Sequence, residues 1–256
     1  MIPKTIHYCW FGRNPKPKLA EKCIKSWRRR CPDYEIVEWN EDNYDLAAAP
    51  LYVRQAYEAK KWAFVTDYVR LDVVYRCGGI YLDTDVEVLK KLDPFLRDRV
   101  FFGVENDKHI NTGLGFGAEK GAEILREMMA DYQGIPFVLP DGSFDQMTCP
   151  ERNTKAVLRH GFVQNGSEQL LDGGIHIYPK DYFCPRDYYS GRMKRTRITH
   201  TIHWFAASWR ARKDQRADHS GHRHGRWRKQ IGKLFGEKTA DAVASGYHWM
   251  KTRFSR

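Results

Sequence analysis

Two carboxylates one residue apart, Asp83 and Asp85, follow the apolar run Ile80-Tyr81-Leu82. In extended backbone both would point the same way, an arrangement able to clamp one hard divalent cation. The triplet alone is a weak signal. With 19 aspartates in 256 residues, roughly 1.4 such D-x-D triplets arise by chance. A second charged pair, Asp67 and Arg70, stands at i and i+3 among core residues, with Thr66 beside it. Buried charges are rare unless paired or functional. The pair therefore either ties a helix to the sheet or lies at the strand ends, where α/β sheets bind nucleotides. His203, between apolar residues, reads as a satisfied core imidazole or as a further metal or diphosphate ligand.

The elements that must hold these groups follow from periodicity. Lys4–Trp10 is β-rich and ends at Gly12 and the Pro15/Pro17 loop; Leu19, Cys23 and Trp27 recur at helical spacing up to Pro32; Tyr34–Trp39 is again β-prone. Strand, helix, strand within 40 residues signals an α/β unit with parallel pairing. One long helix is expected from about Tyr52 to Cys77, apolar on every side and stopped by Gly78-Gly79. Ile80–Leu82 then forms a core strand, and Val100–Val104, Leu114–Phe116 and Ile175–Tyr178 are further strands. Ala122–Tyr132 and Thr154–His160 are expected as helices.

Taken together, Ala63–Arg70 and Gly78–Asp85 resemble the sugar-binding region of glycosyltransferase family 32. Its pattern is a small residue and Ser/Thr before Asp-x-x-Arg, then Gly-Gly-x-Tyr-x-Asp-x-Asp, and all of it is present. Ile2–Gly12, Ile110–Gly113, Tyr178–Pro185 and Thr201–Trp209 are similar to other stretches of that family, so the resemblance runs from residue 2 to about 209. Cys149-Pro150 departs from it, because Gly-Pro stands there in the family. The resemblance implies a GT-A fold, a Rossmann-like α/β domain (1–209) binding a nucleotide sugar and Mn²⁺ or Mg²⁺. Asp85 would ligate the metal directly, and Asp83 would reach it through water or touch the ribose. Asp67 and Arg70, with Thr66 and Tyr81 in the same motif, would hold donor-sugar hydroxyls and phosphate. Trp10 would stack near the base, and Ser208 and Trp209 would close over the donor. Asn111 and Asp145 are candidates for contacts on the sugar face. The implied activity is retaining transfer of a hexose, from a UDP-sugar in preference to a GDP-sugar, to a growing glycan or lipid-linked acceptor.

Composition bounds the rest. Apolar residues make up 42% and aromatics 14%, which excludes a disordered chain. No window approaches a membrane-spanning length and no signal-peptide core follows Met1, so a cytoplasmic location is expected. Six cysteines without a C-x-x-C pair read as reduced. The net charge of +11 is unevenly spread: residues 1–190 carry 26 basic and 28 acidic groups, residues 191–256 carry 17 and 4. A basic helical appendage (210–256) is expected. In it Trp227, Ile231, Leu234 and Phe235, then Val243, Tyr247, Met250 and Phe254, form stripes flanked by Arg and Lys. Residues 226–256 would rest on an anionic membrane surface at the inner face of the plasma membrane, or dock on the body. A nucleic-acid partner is disfavoured, since the basic residues avoid the body. A non-catalytic sugar-binding homologue is the remaining alternative.

Overall fold

The computed structural model describes residues 1–188 and 190–206. Thr5–Cys9 forms β1, Lys18–Arg30 α1 and Glu35–Trp39 β2. β1 and β2 pair in parallel with Thr5 opposite Glu35, the strand–helix–strand unit expected from the first 40 residues. Further along come α2 (Leu51–Glu58), α3 (Trp62–Cys77), β3 (Gly79–Tyr81), β4 (Val86–Val88), β5 (Val100–Asn106), β6 (His109–Ile110) and β7 (Phe116–Ala118). The remainder is α4 (Glu123–Ala130), α5 (Cys149–Arg159), β8 (Gln169–Leu171), β9 (Ile175–Tyr178), α6 (Lys180–Phe183) and β10 (Thr201–His203). These elements belong to one compact unit, Met1–Asp187 with Arg192–Ala206.

The main sheet runs β2-β1-β3-β7-β5-β9-β8, with β6 attached to β5; β4 and β10 form a separate two-stranded ladder. The β2-β1-β3 end is parallel and β7 is antiparallel to both its neighbours, so the sheet is mixed. Neighbouring strand residues feed different cores. Cys9, Tyr81 and Phe102 pack with α2, α3 and α4 residues such as Tyr52, Val69 and Leu125. Tyr8, Ile80 and Phe101 pack with Trp27, Val86 and Phe95. Both faces are therefore covered, as the period-2 alternation of a buried α/β sheet requires.

Where the elements differ from expectation, the backbone supplies the reason. The expected single helix over Tyr52–Cys77 is two. Lys61 N–H bonds to Ala56 O at 2.8 Å and Lys60 N–H to Tyr57 O at 2.9 Å, with Lys60 at φ 56°, which is a Schellman stop. A lysine in the left-handed position hides that stop from a reading that looks for glycine. The expected strand at Leu114–Phe116 starts at Phe116 instead, because Leu114 N–H closes a turn onto Asn111 O at 3.3 Å and Gly115 has φ 128°. α5 begins five residues earlier than Thr154. Thr148 and Glu151 form a capping box with Pro150 in the first turn, a signal present in the sequence. All six cysteines are free, and only Cys77 is exposed.

Two of these elements exist to hold others. α1 is pinned to β4 by Trp27 Nε1–H donating to Val86 O at 2.7 Å and by Ser26 Oγ accepting Val88 N–H at 2.9 Å. β10 pairs antiparallel with β4 so that His203 lies opposite Val86. Ser208 and Trp209, and the basic stripes of 226–256, lie outside the described residues. No described helix is long and apolar enough to cross a membrane.

Candidate metal centre and its surroundings

Asp83-Thr84-Asp85 leaves the end of β3 as a turn, not as extended chain. Leu82 N–H bonds to His7 O at 3.1 Å, Asp83 N–H to Gly113 O at 3.2 Å, and Val86 N–H returns to Asp83 O at 2.9 Å. The turn, in place of strand alternation, brings the two carboxylates together. The β4–β10 register then delivers His203. Its Nε2 lies 3.1 Å from Asp85 Oδ1, and ligand atoms of Asp83, Asp85 and His203 all fall within 4.8 Å of one another. The segment after β10 is tied to the same residue: Trp204 N–H bonds to Asp85 O at 3.0 Å and Ala206 N–H to Asp85 Oδ2 at 2.7 Å.

Two carboxylates and an imidazole are a donor set for a divalent cation, and His203 Nδ1 is buried with no hydrogen-bond partner, so the residues fit one. The electrostatics agree. Burial pushes the Asp83 carboxyl up, Arg70 opposes this, and the neighbouring Asp85 charge adds to it. Burial also works against ionisation of Asp85, but His203 and the Ala206 N–H outweigh it and hold Asp85 low. For His203 burial disfavours the charge, yet Asp85 and Asp83 raise its pKa. The two carboxylates thus favour positive charge at this position, which a cation would also satisfy.

Arg70 organises the other side. It is 3% exposed, and its Nη2 reaches Asp83 Oδ1 at 3.1 Å and Asp67 Oδ1 at 3.2 Å. Nε–H donates to Thr66 O at 3.0 Å and Nη2–H to Thr66 Oγ1 at 3.2 Å. The guanidinium lies over the Tyr81 ring at 5.1 Å. Tyr81, expected among the donor contacts, is 1% exposed and supports Arg70 from below. Of the two readings of Asp67 and Arg70 the structure joins both: they pair with each other, and they do so at the end of β3. Burial raises the Asp67 carboxyl to about 6 against the pull of Arg70.

The remaining expected residues fall into two groups. Asn111 is part of the cluster: its Nδ2–H donates to Glu105 Oε2 at 2.5 Å and its Oδ1 accepts Gly113 N–H at 2.6 Å. Gly113 is where the turn passes against the carboxylate. A Cβ there would collide with Asp83 Oδ2 and lie 3.0 Å from Asn111 Oδ1. Gly113→Ala is therefore expected to weaken cation binding about tenfold while leaving every ligand in place. Mn²⁺ titration calorimetry checks this, and undiminished affinity would refute the crowding argument. Asp145 is not one of the three clustered ligands and stands on the segment before α5. Trp10 borders a separate cavity of about 270 Å³ with Lys16, Glu38, Asn40 and Asp42. Its Nε1–H donates to Asn14 O at 2.6 Å.

Three site residues escape a reading of the sequence. Glu105 orients Asn111. Cys149 puts Sγ 3.5 Å from Arg70 Nη1, at the position that departs from the family's Gly-Pro. Arg152 grips Asp145, Nη2 to Oδ2, at 2.6 Å. Only Cys149 carried any sequence signal, as that departure.

Residues 17–102, which contain Asp67, Arg70, Asp83 and Asp85, match the family model described as glycosyltransferase sugar-binding region containing DXD motif. Over this third of its length the chain carries a region of that description. The chain is 36% identical over 140 residues to inositol phosphoceramide mannosyltransferase 3 of Schizosaccharomyces pombe, covering 53% of this chain and 38% of that protein. It is 27% identical over 128 residues to mannosyl phosphorylinositol ceramide synthase CSH1 of Saccharomyces cerevisiae, covering 42% and 31%. The chain thus spans well under half the length of these relatives. Among solved structures the PaToxG glycosyltransferase is similar, at 20% identity and a TM-score of 0.47, covering 62% of this chain and 68% of that one. The matched residues run from the start of α1 into β5 of the mixed α/β sheet, and the D-x-D turn follows β3.

Proposed function

We propose that the protein is a metal-dependent, retaining glycosyltransferase that moves a hexose from a nucleotide sugar, a UDP-sugar by preference, to a glycan or lipid-linked acceptor. The observation that carries the reading is the convergence of Asp83, Asp85 and His203 within 4.8 Å beside the Arg70–Asp67 pair, inside the matched region. Mn²⁺ or Mg²⁺ held by these three groups would supply Lewis-acid stabilisation of charge developing on the leaving diphosphate. Arg70 spends its guanidinium on Asp67, Asp83 and Thr66, so its work is to hold those carboxylates in one orientation. Asp67, held by Arg70, would contact sugar hydroxyls of the donor. Asn111 and Asp145 are both engaged by neighbouring groups, and neither stands as a ready nucleophile; this fits departure and attack on one face of the sugar. Names of the yeast relatives, which specify mannose and inositol phosphoceramide, favour a hexose and a lipid acceptor. The basic residues of 226–256 would keep the enzyme on the cytoplasmic face of an anionic membrane.

Thermal unfolding with UDP- and GDP-hexoses tests the reading, each with and without Mn²⁺. A bound donor at about 100 times its Kd stabilises the fold by about 2.7 kcal/mol, and slow hydrolysis of that donor should require the metal. No shift and no hydrolysis with any nucleotide hexose would overturn the assignment.

A further inference from the structure

Arg152 is 6% exposed and lies in the first turns of α5. Burying a guanidinium is costly, and an apolar side chain of similar size fills such a space at least as well unless the charge has a task. The surroundings show what the charge holds. Nη2 meets Asp145 Oδ2 at 2.6 Å and Nη1–H donates to Asp131 O at 3.3 Å. The rings of Tyr52 and Tyr132 enclose the guanidinium at 5.4 and 4.9 Å and meet each other edge-on at 5.2 Å. Asp145 is fixed from its other side as well: its Oδ1 accepts Met147 N–H at 2.9 Å, and its own N–H bonds to Phe137 O at 2.8 Å. Yet the Asp145 side chain keeps 21% exposure, against 7% for Arg152. A carboxylate is being presented outward by a buried cation.

Beside it Tyr132 Oη is buried without a hydrogen-bond partner among the described residues. On the same end of α5, Cys149 puts Sγ 3.5 Å from Arg70 Nη1 and Asn153 Nδ2–H donates to Thr112 Oγ1 at 3.0 Å, which sets this end of the helix against the Asp67–Arg70 side of the site.

We propose that Arg152 is a positioning residue that presents Asp145 to the sugar of the bound donor. The inference rests on the nucleotide-sugar reading above. It separates the sugar from the nucleotide: Arg152 and Asp145 serve the hexose, while the metal centre serves the diphosphate.

Calorimetry with UDP-glucose and GDP-mannose, against UDP and GDP alone, all with Mn²⁺, tests it in the full chain. Arg152→Met is expected to weaken nucleotide-sugar binding by about tenfold and leave nucleoside diphosphate binding within about twofold. Asp145→Asn should give the same split, and the double variant should be no worse than Asp145→Asn alone, because one residue acts through the other. If Arg152→Met fails to fold, Arg152→Lys, which keeps a charge between the rings, should show the split at smaller size. Equal losses for sugar-bearing and bare nucleotides, or losses that multiply in the double variant, would overturn the proposal. Failure of the wild-type chain to bind any of the four ligands would instead remove the nucleotide-sugar reading beneath it.

Discussion

Asp85→Ala is expected to eliminate detectable Mn²⁺ binding and to lower transfer by about three orders of magnitude, the scale of loss when a preorganised charge-stabilising device is removed. The residue is central because each of its atoms is used. Oδ1 faces His203, Oδ2 receives Ala206 N–H and the main-chain oxygen receives Trp204 N–H. Asp85→Asn is the sharper variant, since it keeps the shape and removes the charge. Both should remain folded while losing the metal titration. Wild-type turnover in either would refute the role.

The same site has a pH signature whose sign follows from His203. Its pKa is raised above the ordinary histidine value, Asp85 and Asp83 outweighing burial. The stability contributed by the imidazolium is therefore full at acid pH and fades as pH rises through that raised value. A cation needs the neutral ring, so metal affinity changes the other way, rising over the window in which the proton leaves. In Asp85→Ala that coupling should vanish along with the binding.

Arg70→Met should produce the largest loss of stability, about 3–5 kcal/mol, because two carboxylates are then left in the interior without their cation. For a chain of this size that corresponds to roughly 10 °C or more in the midpoint of thermal unfolding. Asp67 is already raised to about 6 with Arg70 present; without it the carboxyl should hold its proton further towards neutrality. Pairing the change with Asp67→Asn should recover part of the stability, since one of the two orphaned charges is removed. A single variant as stable as wild type would show that Asp67 and Asp83 find other partners.

What the sequence could reveal depends on whether the signal is local. α1, β2 and β9 are legible because their apolar spacing and terminators lie within a few residues. The D-x-D and Asp67–Arg70 pairs are legible as a pattern, and their convergence follows from one short connection, Gly78-Gly79 into β3. The Lys60 stop between α2 and α3 is not legible, because a lysine with positive φ is selected by the surrounding fold. Nor is Arg152 legible as a partner of Asp145: seven residues separate them across a loop and a helix start, and nothing in spacing alone says that the loop folds back. His203 could be read only as a choice between core and ligand. Its pairing depends on a three-residue ladder between β4 and β10 that no periodicity announces.

That ladder gives the cation site an unusual dependence on chain order. The strand bearing His203 follows Asp83 and Asp85 by more than a hundred residues. A nascent or clipped chain lacking Thr201–His203 would display the acidic pair without the imidazole, and without the Trp204 and Ala206 amides that brace Asp85. In the proposed reading, metal capture would therefore depend on a strand far along the chain from the acidic pair, and would report whether the β4–β10 ladder is closed.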